Sequence, residues 1–285
     1  MNLIIGFVVV IGSVIAGYVL SHGQLGALWQ PYELVIICGA ALGAFITANP
    51  GKIIKGVGRQ MGVLIKGSKY KKALFLDALA LLHDLAQKAR KEGFLAIEAD
   101  VDEPENSELF KKYPTILGDH HAIEFITDYL RMLVSGNMNA IELETLMDTE
   151  LEAHHHEASG PSNALRTVAD GLPGFGIVAA VLGIVITMGA LGGPPEVIGH
   201  HVAAALVGTF LGILLAYGFV APMSTFLEHV AADEAQFYSC LKTGLLSCLQ
   251  GYSPKVVAEF ARKTIASADR PSFQELEEKI KAKPA

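Results

Sequence analysis

The chain has 285 residues, 51% of them hydrophobic, with a mean hydropathy of +0.40, 18% charged residues and a formal net charge of −7. That apolar excess excludes an ordinary soluble domain, the charged fraction excludes a chain embedded throughout in lipid, and the acidic balance disfavours a nucleic-acid partner. Three cysteines, Cys38, Cys240 and Cys248, build no disulfide framework.

In chain order, the apolar residues form two pairs of stretches, Asn2–Leu20 with Leu34–Asn49 and Gly171–Leu191 with Gly199–Met223. About 19 apolar residues at ~1.5 Å each cross the ~30 Å hydrocarbon core of a bilayer, so each stretch is predicted to span a membrane. The shorter second one extends through Pro31 and Tyr32, with Trp29, Tyr32 and Tyr18 as interfacial anchors. The first lacks a basic n-region and a small-residue cleavage site, and is read as a retained helix rather than a signal peptide.

The connections Ser21–Glu33 and Gly192–Ile198 contain no Lys or Arg, whereas Lys52, Lys55, Arg59, Lys66, Lys69, Lys71 and Lys72 come after the second stretch. Basic loops stay in the cytoplasm, so both connections are predicted outside and both termini inside, with the basic run suited to an anionic lipid surface. The expected fold class is all-α: an integral membrane protein with four transmembrane helices and a helical cytoplasmic domain. Residues 1–50 and 170–223 hold the spans; residues 51–169 and 224–285 are cytoplasmic.

Within the cytoplasmic segment, Lys71–Arg90 places Leu74, Phe75, Ala78, Leu81, Leu82, Leu85 and Ala89 on one helical face, with Asp77, Asp84, Lys88 and Lys91 opposite. Gly93 ends that helix, and Glu98–Pro114 reads as a loop or short helices. A second helix carries Ile123, Ile126, Leu130 and Leu133 up to Gly136, and Asn139 with Glu142 starts a third in a capping-box pattern. Ala158–Asn163 is expected to break the chain before the third span. After the fourth span the helical pattern continues from Phe226 to Gly251, and Ser272 with Glu275 caps a terminal helix whose charged run ends in Lys281 and Lys283.

Chemistry is sparse at depth. No Asp, Glu, Lys or Arg lies inside the four stretches away from their borders, although a chain that relays ions alone normally keeps one there. The stretches instead repeat small residues: Gly39 with Gly43; Ala204, Gly208, Gly212 and Ala216; Gly176, Ala180, Gly183 and Thr187. Such faces pack the four helices together or receive a separate subunit, and spacing alone does not choose. Thr209 is the notable polar side chain at depth, with a back-bond to the Ala205 carbonyl as its simplest role. Pro173 and Pro222 are placed at one membrane mouth, Pro173 as a first-turn residue that starts the third span and Pro222 as a kink in a continuing helix. His154, His155 and His156 are consecutive and cannot converge on one ion as i, i+4 ligands do, so they and His83, His120 and His121 are read as solvated. No HExxH, P-loop or GxSxG motif appears, and no enzyme or cofactor is expected.

The runs Gly171-Leu172-Pro173-Gly174-Phe175-Gly176 and Val207-Gly208-Thr209-Phe210-Leu211-Gly212-Ile213-Leu214-Leu215-Ala216-Tyr217-Gly218-Phe219 resemble the flagellar-motor stator subunit family MotA, within the MotA/TolQ/ExbB superfamily. Gly17-Tyr18, Asp128-Tyr129-Leu130-Arg131, Glu259-Phe260-Ala261-Arg262 and Arg270-Pro271-Ser272-Phe273 extend the resemblance over nearly the whole chain. It implies a channel in the bacterial inner membrane that couples ion flow to torque, made by five A subunits around two MotB subunits, with MotB supplying the channel carboxylate. Protons are the ion it favours, sodium the alternative. By position it makes Ala180, Thr209 and Tyr217 channel-lining, Pro173 and Pro222 conformational couplers, and Arg90 and Glu98 the charges that meet the rotor switch protein FliG. The competing scaffolds of TolQ and ExbB type have three spans and an external N-terminus, against four spans here.

Overall fold

The computed structural model describes residues 2–135 and 139–281, whose regular elements are all helices, with no β-strand among the described residues. Gly136 and Lys283 lie outside them. The chain divides into two compact units, one made of the residues up to 67 together with 158–229, the other of residues 68–157 together with those from 230 on.

The first unit opens with α1 (Asn2–Leu20), a helix of 19 residues without a charged side chain. A one-turn α2 (Leu25–Leu28) and α3 (Pro31–Ala48) come next. Pro31 sits in the first turn, where its missing N–H costs little, so the second span begins earlier than Leu34. At its other end the Asn49 side-chain amide donates to the Phe45 carbonyl (2.8 Å), and Pro50, which cannot continue the ladder, becomes the residue before α4 (Gly51–Lys66). In the sequence this segment reads only as a basic run. In the structure Val57 and Leu64 are buried with Ala164, Leu165 and Leu227, while Lys52, Lys55, Arg59 and Lys66 keep at least part of their surface exposed.

The predicted break at Ala158–Asn163 does not occur, because α9 runs unbroken over Ala140–Gly189 with Pro161 and Pro173 inside it. An interior proline loses one backbone bond, and packing outweighs that loss here. A Cβ at Gly160 would meet Ile53 Cδ1 at 2.6 Å, and one at Gly56 would meet the Pro161 ring at 3.1 Å, so α4 closes over the proline. The Ser162 hydroxyl donates to the Ser159 carbonyl (2.8 Å) beside it. The fourth span is α10 (Pro195–Leu215), then a π-helical turn at Ala216–Val220, then α11 (Ala221–Leu249).

The second unit is built on α5 (Lys72–Glu92), whose seven predicted apolar positions are all buried. Gly93 ends it with φ +87°, a left-handed conformation that favours glycine. Short pieces come after it, a 3₁₀ turn at Phe94–Ile97, α6 (Glu98–Asp102), another 3₁₀ turn at Phe110–Lys112 and α7 (Pro114–Leu117), before α8 (His120–Ser135). The Asn139 capping box forms: the Asn139 carboxamide oxygen accepts from the Glu142 N–H, and the Glu142 carboxylate accepts from the Asn139 N–H, both at 3.0 Å. The terminal α12 (Pro254–Thr264) packs on α5, and α13 (Phe273–Lys281) starts with the predicted Ser272–Glu275 box. Phe75, Leu79, Leu82, Ile126, Phe237, Leu241 and Val257 share one core.

Candidate functional site

In the first unit the small residues of α9 and α10 pack against each other. A Cβ on Gly212 would stand 2.8 Å from both Gly176 Cα and the Leu172 carbonyl oxygen, one on Gly176 would stand 3.0 Å from the Gly208 oxygen, and one on Gly183 would stand 2.9 Å from Ala205 Cβ. Only glycine permits backbones that close. Two predicted residues border this contact: the Gly208 position lies 3.4 Å from the Ala180 nitrogen, and the Gly176 position 3.4 Å from Thr209 Cα. Thr187 bonds back to the Gly183 carbonyl at 2.8 Å, as buried threonines do. Thr209 makes no such bond, contrary to its expected simplest role; its half-buried hydroxyl has no partner among the described residues.

The same level of α10 carries a residue that sequence reasoning placed outside. Glu33, in the first turn of α3, is 9% exposed, its Oε2 is buried without a hydrogen-bond partner, and its Cγ stands 3.4 Å from the Gly208 Cβ position. The chain therefore holds a buried acid against the small-residue face of α10, at the border of α3. The early start at Pro31 draws Glu33 into the span, and the signal was Pro31-Tyr32 at the border, which makes the next residue helical.

The two prolines do not sit at one level. Pro173 is next to Leu172, which meets Gly212, whereas Pro222 stands two residues before Ser224, whose buried hydroxyl donates to the Ser162 carbonyl at 2.7 Å. In this antiparallel pairing Pro222 lies about 15 Å farther along than the level of Pro173 at ~1.5 Å per residue. Nor does Pro173 start a helix, since α9 arrives from Ala140. Pro222 does interrupt a continuing helix. Its ring removes the bond to the Gly218 carbonyl, and the π turn before it, with the Ala221 N–H reaching the Ala216 carbonyl, widens the backbone where the ring would clash. Tyr217 lies on that turn, 65% exposed. Phe219 packs its ring on Phe7 of α1, 4.9 Å between centroids, and below the turn Arg166 pairs with Glu228.

In the second unit, Arg90 and Glu98 are exposed, one on the last turn of α5 and the other at the start of α6, and neither has an ion-pair partner among the described residues. Their neighbours are paired: Lys88 holds Asp100 at 2.6 Å, and Ser107 donates to the same carboxylate at 2.6 Å. His83 is buried rather than solvated and contacts Asp84 at 3.3 Å. Although burial opposes it, His83, Lys112 and Tyr113 together hold the Asp84 carboxyl below its usual range, so it stays ionised. His154 also departs from its expected place, for it turns into a cavity of the second unit.

Residues 4–93 match the family description "Motility protein A N-terminal" and residues 119–239 match the "MotA/TolQ/ExbB proton channel family". The motility protein A of Salmonella typhimurium is 50% identical over 282 residues, covering 99% of this chain and 96% of that protein. Among solved structures, C. jejuni MotAB superposes with TM-score 0.79 at 22% identity over 95% of this chain and 98% of that one. The flagellar MotAB stator complex from Bacillus subtilis superposes with TM-score 0.72 at 26% identity over 90% and 92%.

Proposed function

The chain belongs to the motility protein A family, and from that premise we propose that it is the A subunit of a flagellar stator, forming with MotB a proton channel that turns ion flow into torque. The near full-length identity to a motility protein A carries this reading. The subunit lies in the bacterial inner membrane with both termini in the cytoplasm, five copies enclosing two of MotB. The basic residues after α3 face anionic lipid.

The α9–α10 contact is a rigid wall, since its backbones touch and leave no room for sliding. Ala180 and Thr209 lie on that wall and line the conduction path, where the unpartnered Thr209 hydroxyl is free to bond water or the MotB carboxylate. Tyr217 lines the path at the π turn. The orphan Glu33 carboxylate beside Gly208 faces a partner from outside this chain, because a buried acid left alone costs several kcal/mol, roughly 1–3 for the unmade bond and more if charged. Pro173 and Pro222 couple the ion event to the cytoplasmic helices from two different levels, and Arg90 and Glu98 meet charges on FliG. Purified complex in liposomes tests the channel. Proton uptake under an imposed potential, lost in Thr209→Val, is expected; sodium-dependent flux alone would reassign the ion, and no flux with a folded complex would remove the channel reading.

A further inference from the structure

The buried positions at the start of α3 run Gln30, Glu33, Ile37 and Ala41, at spacings of three and four that make one stripe. Ile37 and Ala41 pack with Leu172 and Ala179 of α9 and with Ala216 of the π turn. An apolar residue at 33 would continue that packing, yet the chain places a carboxylate there, with Oε2 buried and unpartnered. The other acids among the described residues of the first unit, Asp170, Glu196 and Glu228, are all exposed. A buried carboxylate without a partner is costly, and at a helix contact in a membrane it marks a function.

This unit supplies no positive charge to balance it. Residues 1–51 and 167–241 contain no Lys or Arg. The cations the unit does have, Lys52, Lys55, Arg59, Lys66 and Arg166, lie beyond the inner end of α3 or on the inner part of α9, about 20 Å or more away at ~1.5 Å per residue. Nor can a side chain of another subunit reach an oxygen that α3, α9 and α10 of this chain already seal. Glu33 keeps 9% of its surface open, which admits a small ion and not a side chain. Gln30, one turn farther out and 8% exposed, directs its amide N–H to the Ala27 carbonyl at 3.3 Å, which leaves its oxygen as a second neutral ligand. Inward of Glu33, Gly208 adjoins the half-buried Thr209 hydroxyl, and the Ala180 nitrogen stands 3.4 Å from the Gly208 Cβ position.

We propose that Glu33 is an ion-binding carboxyl that this chain itself contributes to the channel, taking the conducted cation from the outer side and holding it at the level of Ala180 and Thr209. The proposal rests on the channel reading above and adds to it an acid besides the MotB carboxylate. The ligand is a small monovalent cation, a hydrated proton or sodium. Gly208 serves this site by its missing side chain, because a Cβ there would stand 3.4 Å from Glu33 Cγ and crowd the carboxyl arm. The cation supplies the countercharge that the protein withholds, and since no Lys or Arg competes for the carboxylate, the ion is free to leave inward.

The test is ion flux through the intact complex in liposomes under an imposed potential, in one arm with protons and no sodium and in the other with sodium at constant pH. Glu33→Gln and Glu33→Met keep the side chain's size and remove its charge, and each is expected to lower the flux that the wild type carries by about tenfold or more. The arm in which the loss appears identifies the ion. Membrane level and thermal midpoint should hold, and in Glu33→Met the midpoint should rise, because an orphan buried oxygen has been replaced by an apolar group. Glu33→Asp, which retains the charge, should keep more flux than either. Wild-type flux in Glu33→Gln and Glu33→Met overturns the proposal and leaves the channel reading intact. A midpoint that falls along with the flux, with no recovery in Glu33→Asp, makes Glu33 a packing residue and also overturns it. A wild type that conducts neither ion strikes the channel reading, and this proposal with it.

Discussion

Glycines recur in all four spans, but they meet different surroundings. On α9 and α10 a Cβ at Gly176, Gly183, Gly208 or Gly212 would run into the facing helix within 2.8–3.2 Å, whereas at Gly6, Gly12, Gly17, Gly39 and Gly43 of α1 and α3 it would meet nothing within 4 Å. The spacing is the same in both, with Gly39 and Gly43 four apart as are Gly208 and Gly212. One set is filled from within the chain. The other leaves narrow, smooth faces that only lipid or another subunit can cover. Arg90, Glu98, Thr209 and Glu33 resemble the second set, being polar groups for which this chain supplies no partner among its described residues. Substitution at filled positions should damage the fold, and at unfilled positions only the function.

The largest effect expected is at a filled position. Gly212→Val must push α9 away from α10 and should cost about 3 kcal/mol or more, emptying the membrane of folded protein, as judged by membrane level and thermal midpoint. Gly39→Ala, facing open space, should change stability by less than about 0.5 kcal/mol. Equal losses in the two would break the comparison.

Next comes Arg90→Glu. An exposed, unpaired charge contributes within about 0.5 kcal/mol to stability, while complementary charges govern encounter and register at a transient interface. Motility should be abolished or severely reduced at normal membrane level, and a reversed charge on the rotor should restore part of it. Normal swimming with Arg90→Glu and Glu98→Lys combined would take both residues out of the mechanism.

The smallest effect is expected at the prolines, which sharpens the comparison because they are neither filled contacts nor free charges. Pro222→Ala restores the N–H that can reach the Gly218 carbonyl and lets the π turn relax toward α-helix, so insertion and level should hold while torque falls. Pro173→Ala should act in the same direction. Torque measured on tethered cells at matched level checks this, and unchanged torque in both variants leaves the prolines as helix punctuation.

Much of the architecture is legible in the sequence alone, because its signals are local. Apolar length sets the spans, Gly93 and Gly251 set helix ends through their left-handed φ, and Asn139–Glu142 and Ser272–Glu275 set helix starts through reciprocal bonds within four residues. Sequence reasoning goes astray where a neighbour outweighs the local signal. Pro161 looks like a break until Ile53 and Gly56 of α4 close over it, and Pro173 looks like a start until α9 passes through it. Glu33 looks like a loop acid until Pro31 begins the helix beneath it and Gly208 leaves room for its side chain.

The histidines show the limit most plainly. Three in a row point in three directions, and sequence correctly denies that they converge. Only the packing of α8, α9 and α11 selects His154, turns it toward Tyr238 and Glu234, and leaves His155 and His156 exposed. By itself the sequence determined the features that composition and neighbours along the chain dictate: the spans, most helix ends, the basic run, the family. The tertiary structure decided which glycines are filled, which acid is buried, where each proline lies and which histidine is enclosed. Those depend on the distance between residues far apart in sequence, and the chain's own periodicity carries no record of it.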